Sequence, residues 1–291
     1  MSNTYKPFKI PVNPELEVFY SKAKNGYKGC ILCVPGICHG AWCFENFLTF
    51  FADNGYDCYA LSFRGHAGSG GHENINKYRL SDYSDDVKKC IEFCKSEDCK
   101  YKMKSDPFLL GHSMGGAVVQ KYIGDYSDEV KGMILFASAT AKGMDFKQTI
   151  RDTFTHWNLF CATLVANGLI KIMTTKAIYK SAFFDERISK EKVKIYKKLL
   201  HRESRIITLN DLYKPYTNNY DIDIPILVVG SYADSYFPEK SLKITAKAYK
   251  CFKTDKRRQF EILPDLCHDM MLDPKWEKSA KVVLKFMENN K

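Results

Sequence analysis

Short, almost wholly apolar segments alternate with longer amphipathic segments along most of this chain of 291 residues. The apolar runs at 107–110, 132–137 and 224–229 are nearly continuous, which is typical of parallel strands covered on both faces. Segments between such runs, for example 80–96 and 114–126, carry apolar residues at helical spacing. Strands that alternate with helices in this way predict an α/β protein with a mostly parallel central sheet flanked by helices.

The remaining segments extend the same pattern toward both ends of the chain. Further strands are predicted at 17–20, 29–34, 57–62 and 259–263, and further helices at 42–54, 239–250 and 276–288. Between the first two of these strands stands Lys-Asn-Gly at residues 24–26, a sequence typical of a hairpin turn. We therefore expect strands 17–20 and 29–34 to form an antiparallel pair at the start of the sheet.

The interval 140–220 breaks the alternation of strands and helices. A structureless loop of that length is improbable inside a compact domain. Helical patterns recur within the interval, at 154–167 and 190–202. We predict a helical cap subdomain at 140–220, placed over a core domain that residues 1–139 and 221–291 form together.

Composition and charge exclude several classes of protein. The first residues are polar, and no apolar run approaches the roughly 20 residues that cross a bilayer, so we expect neither export nor a membrane span. The net charge of +10 comes from 44 Lys+Arg against 34 Asp+Glu, scattered along the predicted helices. Scattered lysines indicate a solvated surface, without the concentrated basic face of a nucleic-acid partner. The expected compartment is cytoplasmic, with peripheral lipid contact left open.

Eleven cysteines raise the question of disulfides and metal sites. In a chain of this size without a leader we expect reduced thiols. The tightest cluster, Cys30, Cys33, Cys38, His39 and Cys43, superficially resembles a metal site. However, residues three apart on a strand point to opposite faces, which separates the first two thiols. We predict neither a metal nor an organic cofactor.

The sequence Gly-His-Ser-Met-Gly at residues 111–115 has the pattern G-x-S-x-G, between the apolar strand at 107–110 and a helical segment. A sharp turn from strand to helix tolerates only small residues two positions on either side of the serine, whose hydroxyl projects above the sheet. This segment resembles the nucleophile elbow of the α/β-hydrolase family. The resemblance covers nearly the whole chain outside 140–220. It implies an α/β-hydrolase fold with a helical cap inserted after strand 6, and Ser113 as the nucleophile.

Two further segments are similar to loops of the same family. Residues 34–42 resemble its His-Gly loop, which supplies a main-chain N–H to an oxyanion, although Pro35 stands where that histidine usually stands. The resemblance implies Ile37 and Met114 as the two oxyanion donors. Residues 63–70 resemble the family's Arg-Gly-His-Gly-x-Ser loop and are expected to brace the floor of the site.

The base and the acid of the expected triad come from late in the chain. His268 follows the last predicted strand, in a segment that resembles the late histidine loop of capped members of the family. Asp234 follows the strand at 224–229, where family members place the acid that orients the histidine. The order Ser113, Asp234, His268 is the order of this family.

Other residues compete for these roles. Asp265 and Asp269 flank the predicted base, and Asp145 lies where some relatives take their acid. Neighbours on one loop easily point apart, which favours the acid from the other strand. His39 is either a working residue at the mouth of the site or a packing residue, and His112 is disfavoured as the base because it lies inside the elbow.

The resemblance implies a serine hydrolase that forms an acyl-enzyme and needs no cofactor. The first expectation is a carboxylic ester hydrolase, either an esterase or similar to monoacylglycerol and lysophospholipid lipases. Its partner would be a small-molecule ester with a small to medium apolar acyl group. One alternative is a hydrolase-derived ligand receptor with slow turnover. The other is a cofactor-free perhydrolase or haloperoxidase-type activity.

Overall fold

The computed structural model describes residues 5–147, 149–150, 166–167, 183–249 and 257–291. The strands are β1 Lys6–Ile10, β2 Leu16–Ser21, β3 Gly29–Val34, β4 Tyr56–Leu61, β5 Pro107–His112, β6 Gly132–Phe136, β7 Ile226–Ser231 and β8 Arg258–Leu263. They form one eight-stranded sheet in the order β1-β2-β4-β3-β5-β6-β7-β8. The β1–β2 and β2–β4 pairs are antiparallel, and the other pairs are parallel. The predicted α/β class with a mostly parallel sheet is confirmed.

The predicted pairing at the start of the sheet was wrong. Asn25 and Gly26 do turn the chain, with φ of 57° and 95°. However, β4 lies between β2 and β3, and Val18 of β2 is paired with Leu61 of β4. The reason is that β3 is apolar on both faces and takes parallel partners on both sides, while β1, which we did not predict, gives β2 its other antiparallel neighbour. The sheet begins antiparallel, but with different partners.

Helices cover both faces of the sheet. Those of the described ranges that have α-helical form are α1 Glu45–Asp53, α2 Leu80–Lys95, α3 Met114–Tyr126, α4 Lys190–Leu199, α5 Arg205–Leu209, α6 Glu239–Ala248 and α7 Glu277–Asn289, with a 3₁₀ turn Ala41–Phe44 before α1. One apolar core joins the sheet to α1 and α7, through buried side chains such as Phe47 and Phe286. The other joins it to α2, α3 and α6, through side chains such as Val118. Among the described helices, none has the length and hydropathy to cross a bilayer.

The cysteines of the described ranges are free thiols. Cys30 and Cys33 belong to different cores, as strand geometry predicts for residues three apart. Burial raises the pKa of Cys30 to about 12 and that of Cys33 further still. These thiols are therefore neutral packing groups rather than reactive thiolates.

The chain between β6 and β7 contains α4 and α5 and approaches the carboxyl end of the sheet. Val193 of α4 is buried, and Tyr196 stacks on Trp42 with the ring centroids 5.6 Å apart. The helix predicted at 154–167 lies outside the described residues except for its last two positions. The division into a core and a cap at 140–220 stays a prediction.

Candidate active site

The loop between β5 and α3 consists of one residue, Ser113. Its φ of 53° and ψ of −119° are strained values for a residue with a side chain. The flanking glycines make this turn sterically accessible: a Cβ added at Gly111 would lie 2.5 Å from the Gly115 carbonyl oxygen, and one added at Gly115 would collide with the Pro35 carbonyl oxygen. The G-x-S-x-G pattern therefore adopts the tight strand-to-helix turn that the motif predicts.

Three residues that are distant in the chain meet at the carboxyl end of the sheet. Nε2 of His268 lies 3.0 Å from Oγ of Ser113, and Nδ1 of the same ring lies 3.0 Å from Oδ2 of Asp234. Asp234 follows β7 and His268 follows β8, which are neighbouring parallel strands. All three side chains are buried. The structure thus brings together the three residues that the sequence predicts as a triad.

The carboxylate of Asp234 has a fixed orientation. Its Oδ1 accepts hydrogen bonds from the main-chain N–H groups of Tyr236, at 2.8 Å, and Phe237, at 3.4 Å. Oδ2 is left for Nδ1 of His268. Since a carboxylate only accepts, Nδ1 carries the proton and Nε2 presents its lone pair to the serine hydroxyl.

The surroundings of His268 favour its protonated form. Burial by itself lowers the pKa of this imidazole. The charge and hydrogen bond of Asp234, together with the charge of Asp269, outweigh burial and raise the pKa above the ordinary histidine value. An imidazole in this position is suited to accept a proton from the hydroxyl.

The competing carboxylates lie elsewhere. Asp265 is at the surface, where one oxygen is 3.1 Å from Nζ of Lys278. Asp145 is exposed. Asp269 is buried, but its Oδ2 lies 3.0 Å from Nε2 of His39. Both ring nitrogens of the candidate base are already occupied by the candidate nucleophile and acid.

The two predicted oxyanion donors lie on adjacent loops, because β3 and β5 are parallel neighbours. Met114 is the first residue of α3, so its N–H has no acceptor within the helix and lies at the positive end of the helix dipole. Ile37 lies in the loop after β3, residues 35–40, which we call the oxyanion loop. A Cβ added at Gly36 would lie 3.0 Å from Cβ of Ser113, so this backbone passes directly beside the candidate nucleophile.

The oxyanion loop is fastened to the chain that precedes α5. Cys38, which has a positive φ of 68°, accepts a hydrogen bond from the His201 N–H at 3.0 Å and donates its own N–H to Oε2 of Glu203 at 3.3 Å. Glu203 also accepts from the Tyr83 hydroxyl at 2.7 Å and lies 3.2 Å from Nε2 of His66. These contacts hold a loop that has a proline where the family usually has a histidine.

Glu203 is a residue of the candidate site that the sequence did not predict. It stands in a polar stretch before a short helix, and no spacing or motif there predicts a buried carboxylate. Burial alone would raise the pKa of Glu203 and lower that of His66, but their mutual attraction reverses both shifts. Arg64, from the same loop as His66, donates from Nε to Oδ1 of Asp86 at 2.8 Å. Residues 63–70 thus contact α2 through Arg64 and Glu203 through His66, and their role in bracing the site stays a prediction.

Three further polar side chains form a buried cluster beside the candidate triad. Nδ1 of His39 lies 2.6 Å from the Ile37 carbonyl oxygen, and its Nε2 contacts Asp269. Nε2 of His112 lies 3.1 Å from the carbonyl oxygen of His268. Within the described ranges, the group near enough to share a metal ion is His112, His268 and Asp269. Both nitrogens of His268 already have partners, so a metal would have to displace the serine or the acid.

Aromatic side chains enclose the candidate base. The ring centroids of Tyr236 and Phe237 lie 4.6 and 5.7 Å from that of His268. Phe183, which precedes α4, stacks on Tyr236 at 5.4 Å. The walls here are apolar, and the polar groups converge on Ser113, which is 5% exposed.

Comparison with known proteins places the chain among hydrolases. The sequence model of the family described as Hydrolase_4, serine aminopeptidase S33, matches residues 26–275. Methyl jasmonate esterase 1 of Vitis vinifera is 31% identical over 113 residues, 39% of this chain and 40% of that protein. Protein phosphatase methylesterase 1 of Candida albicans is 31% identical over 124 residues, 42% of this chain and 32% of that protein. The chain thus spans less than half the length of each relative.

The whole described fold has solved counterparts. A thermophilic esterase from Thermogutta terrifontis superimposes with a TM-score of 0.69, over 98% of both chains and at 15% sequence identity. At that identity the likeness concerns the arrangement of strands and helices.

Proposed function

The chain belongs to the Hydrolase_4, serine aminopeptidase S33, family and has the α/β-hydrolase fold, and on that premise we propose that it is a serine hydrolase of carboxylic esters. The observation that carries the proposal is one continuous hydrogen-bonded chain. It runs from Oγ of Ser113 through both nitrogens of His268 to Asp234. The expected absence of a cofactor stays a prediction.

Each group has a defined part in the proposed reaction. Oγ of Ser113 bonds to the ester carbonyl carbon while Nε2 of His268 takes the hydroxyl proton. The N–H groups of Ile37 and Met114 receive the oxyanion. The carbon–oxygen bond to the alcohol then breaks as the imidazolium protonates the leaving oxygen. Water then attacks the acyl carbon while Nε2 of His268 takes its proton. The bond between that carbon and Oγ of Ser113 breaks, the imidazolium returns the proton to Oγ, and the carboxylic acid is released.

The surroundings support a small to medium apolar acyl group. Tyr236, Phe237 and Phe183 present rings next to the imidazole. The two curated relatives carry the names of a methyl jasmonate esterase and a methylesterase, which makes methyl esters the first candidates. The family description names an aminopeptidase, so amides are a second substrate class to test. An amide with the same acyl group as an ester shows which leaving group the site prefers. Monoacylglycerols and lysophospholipids extend the ester series toward lipids.

We propose further that residues 140–220 form a cap over a core built from 1–139 and 221–291. Phe183, against the imidazole, and Glu203, against the oxyanion loop, both come from the chain between β6 and β7. The same interval would then determine which acyl groups enter.

The test combines active-site labelling with a substrate panel. We expect a fluorophosphonate to label Ser113, and nitrophenyl esters from acetate to octanoate, with methyl esters of apolar acids, to turn over faster than matched anilides. Ser113→Ala is the blank. Labelling that persists in Ser113→Ala, or anilides that exceed esters, would contradict the proposal. Prompt labelling with negligible turnover would support a ligand receptor instead, and peroxide-dependent bromination would support a perhydrolase.

A further inference from the structure

A buried histidine and a buried carboxylate connect the oxyanion loop to the loop of the candidate base. His39 is 1% exposed and Asp269 is fully buried. We infer that His39 carries both ring protons and forms an ion pair with an ionised Asp269, and that this pair positions Ile37 for oxyanion binding. The inference rests on the proposed function, because it concerns the loop that would hold the oxyanion.

The partners of His39 decide where its protons are. Nδ1 lies 2.6 Å from the carbonyl oxygen of Ile37, and a carbonyl oxygen only accepts hydrogen bonds. Nδ1 therefore carries a proton. Nε2 lies 3.0 Å from Oδ2 of Asp269, and an ionised carboxylate also only accepts. With an acceptor at each nitrogen, the ring is an imidazolium.

The charge of Asp269 is supported by its neighbours. Burial by itself raises the pKa of this carboxyl group, but the charge and hydrogen bond of His39 bring the pKa below its ordinary value. A buried carboxylate without a counter-charge would be strongly unfavourable. The ionised form of Asp269 therefore depends on the cation that faces it.

His112 does not compete for that cationic role. Its Nε2 lies 3.1 Å from the carbonyl oxygen of His268, so this nitrogen carries the proton. Burial, with the charges of His268 and His39, lowers the pKa of His112 to about 3, and its ring stays neutral. Its Nε2 is also 3.6 Å from Oδ1 of Asp269, so a neutral donor faces the second oxygen of that carboxylate.

The ion pair acts on the reaction through the backbone. Ile37 would offer its N–H to the oxyanion, while its carbonyl oxygen is held by His39. The next residue, Cys38, has a positive φ, so the loop has an unfavourable conformation that its surroundings must maintain. An oxyanion donor contributes on the order of 10²–10³ in rate when it is aligned in advance. His39 and Asp269 are therefore positioning residues.

The charge state is tested without turnover, in Ser113→Ala labelled with ¹⁵N-histidine. We expect both nitrogens of His39 to be protonated at pH 7, because each faces an acceptor. His39→Asn assigns the resonances by removing them. Asp269→Asn should leave His39 with Nδ1 protonated alone. A neutral His39 at pH 7 in the parent protein would overturn the inference.

Kinetics test the positioning role. We expect Asp269→Asn and His39→Asn each to lower kcat about 10-fold to 100-fold with KM changed less than about threefold, since an oxyanion donor is misaligned and the substrate walls are intact. The double variant should be no worse than the poorer single variant. The matched control is Asp265→Asn, a surface carboxylate on the same loop, which should keep full kcat.

The two kinds of failure are distinguishable. A parent protein without esterase turnover contradicts the proposed function but leaves the NMR result intact. A parent protein with turnover, combined with additive or negligible effects of the two variants, contradicts the positioning role. Thermal unfolding of each variant separates misfolding from misalignment.

Discussion

Two buried carboxylates, Asp234 and Asp269, lie near the imidazole of His268, and they have different hydrogen-bond partners. Asp234 has one oxygen held by two main-chain N–H groups and directs the other at Nδ1. Asp269 is adjacent to His268 in the chain, yet its side chain turns to His39. These neighbours on one loop point apart, which supports the proposal that the orienting acid follows the adjacent strand.

Removing the charge of the proposed acid, Asp234, should distinguish it from Asp265, a surface carboxylate on the loop of His268. We expect Asp234→Asn to lower kcat/KM by roughly 10³–10⁴-fold, because an amide at that place favours the wrong tautomer of the imidazole. Asp265→Asn serves as the control and should have no effect. Steady-state kinetics with a nitrophenyl ester measure both. An active Asp234→Asn together with an inactive Asp265→Asn would move the acid to the other residue.

The pH profile should report the proposed base. His268 must be neutral to accept the serine proton, and its pKa is raised above the ordinary value of 6.5. We therefore expect kcat/KM to fall as the pH decreases, with an inflection above 6.5. A pH series in constant ionic strength measures it, and pre-incubation at each pH excludes unfolding. An inflection below the ordinary value would contradict this electrostatic description.

At the scale of elements, the turn between β5 and α3 packs closely against the end of β3 and the start of the oxyanion loop. A Cβ at Gly115 would collide with the carbonyl oxygens of Val34 and Pro35. Because these are backbone atoms at the end of a central strand, they have little room to move. The glycine is needed for the contact between two elements as well as for the turn itself.

Gly115→Ala should therefore disturb both the fold and the site. We expect the free energy of unfolding to fall by roughly 1–3 kcal/mol through overpacking, and Ser113 to react more slowly with a fluorophosphonate. Urea denaturation and labelling rates measure the two effects. Gly70→Ala is the control, since its added Cβ would meet nothing closer than 3.3 Å. Equal stability of both variants would be inconsistent with the close approach.

The buried pair Glu203 and His66 should make stability depend on pH. The pKa of His66 is raised above its ordinary value of 6.5, so its contribution is complete below that pH and is lost as the pH rises through the folded-state pKa. The pKa of Glu203 is lowered, so its contribution is complete above the ordinary 4.5 and is lost in acid. The pair should stabilise the fold most between these values.

Glu203→Gln tests this dependence. We expect a loss of about 3 kcal/mol in the free energy of unfolding within that window, because a buried partner is removed, and a smaller loss as the pH rises above it. Chemical denaturation at several pH values measures the difference from the parent protein. A difference that does not vary with pH would contradict the ion pair.

At the scale of the whole molecule, the parallel sheet brings the loops after β3, β5, β7 and β8 to one edge. The candidate oxyanion loop, nucleophile, acid and base each come from one of these loops. Two apolar cores, one on each face, hold the strands that carry them. The cysteines of the described ranges are packed in or beside these cores as free thiols.

The stability of the described core should therefore not depend on disulfides among the cysteines of the described ranges. We expect the same unfolding temperature with and without a thiol reductant, because the buried thiols contribute as apolar packing groups. Scanning calorimetry in parallel buffers measures it, with an irreversible thiol-blocking reagent showing that the buried cysteines of the described ranges stay protected until unfolding. A lower unfolding temperature in reductant would contradict this expectation.

Much of the fold followed from local patterns. Continuous apolar runs and helical spacing predicted most of the strands and helices to within a few residues. A strand that is buried on both faces needs apolar residues at successive positions, and such a run is visible in the sequence. β1 was missed because it is short, half exposed and interrupted by Pro7. The hairpin prediction failed because a turn signal reverses the chain without deciding which strand lies alongside.

By itself, the sequence determined the α/β alternation, the turn at Ser113 that its glycines permit, and the chain order of the candidate nucleophile, acid and base. The tertiary structure alone decided that β4 separates β2 from β3, that Glu203 is buried against the oxyanion loop, and that Asp269 faces His39. The physical reason is how far apart the interacting residues are along the chain. Turns and periodicity depend on neighbours a few residues apart, whereas burial and charge pairing depend on residues 165 to 230 positions apart that meet only in the folded chain.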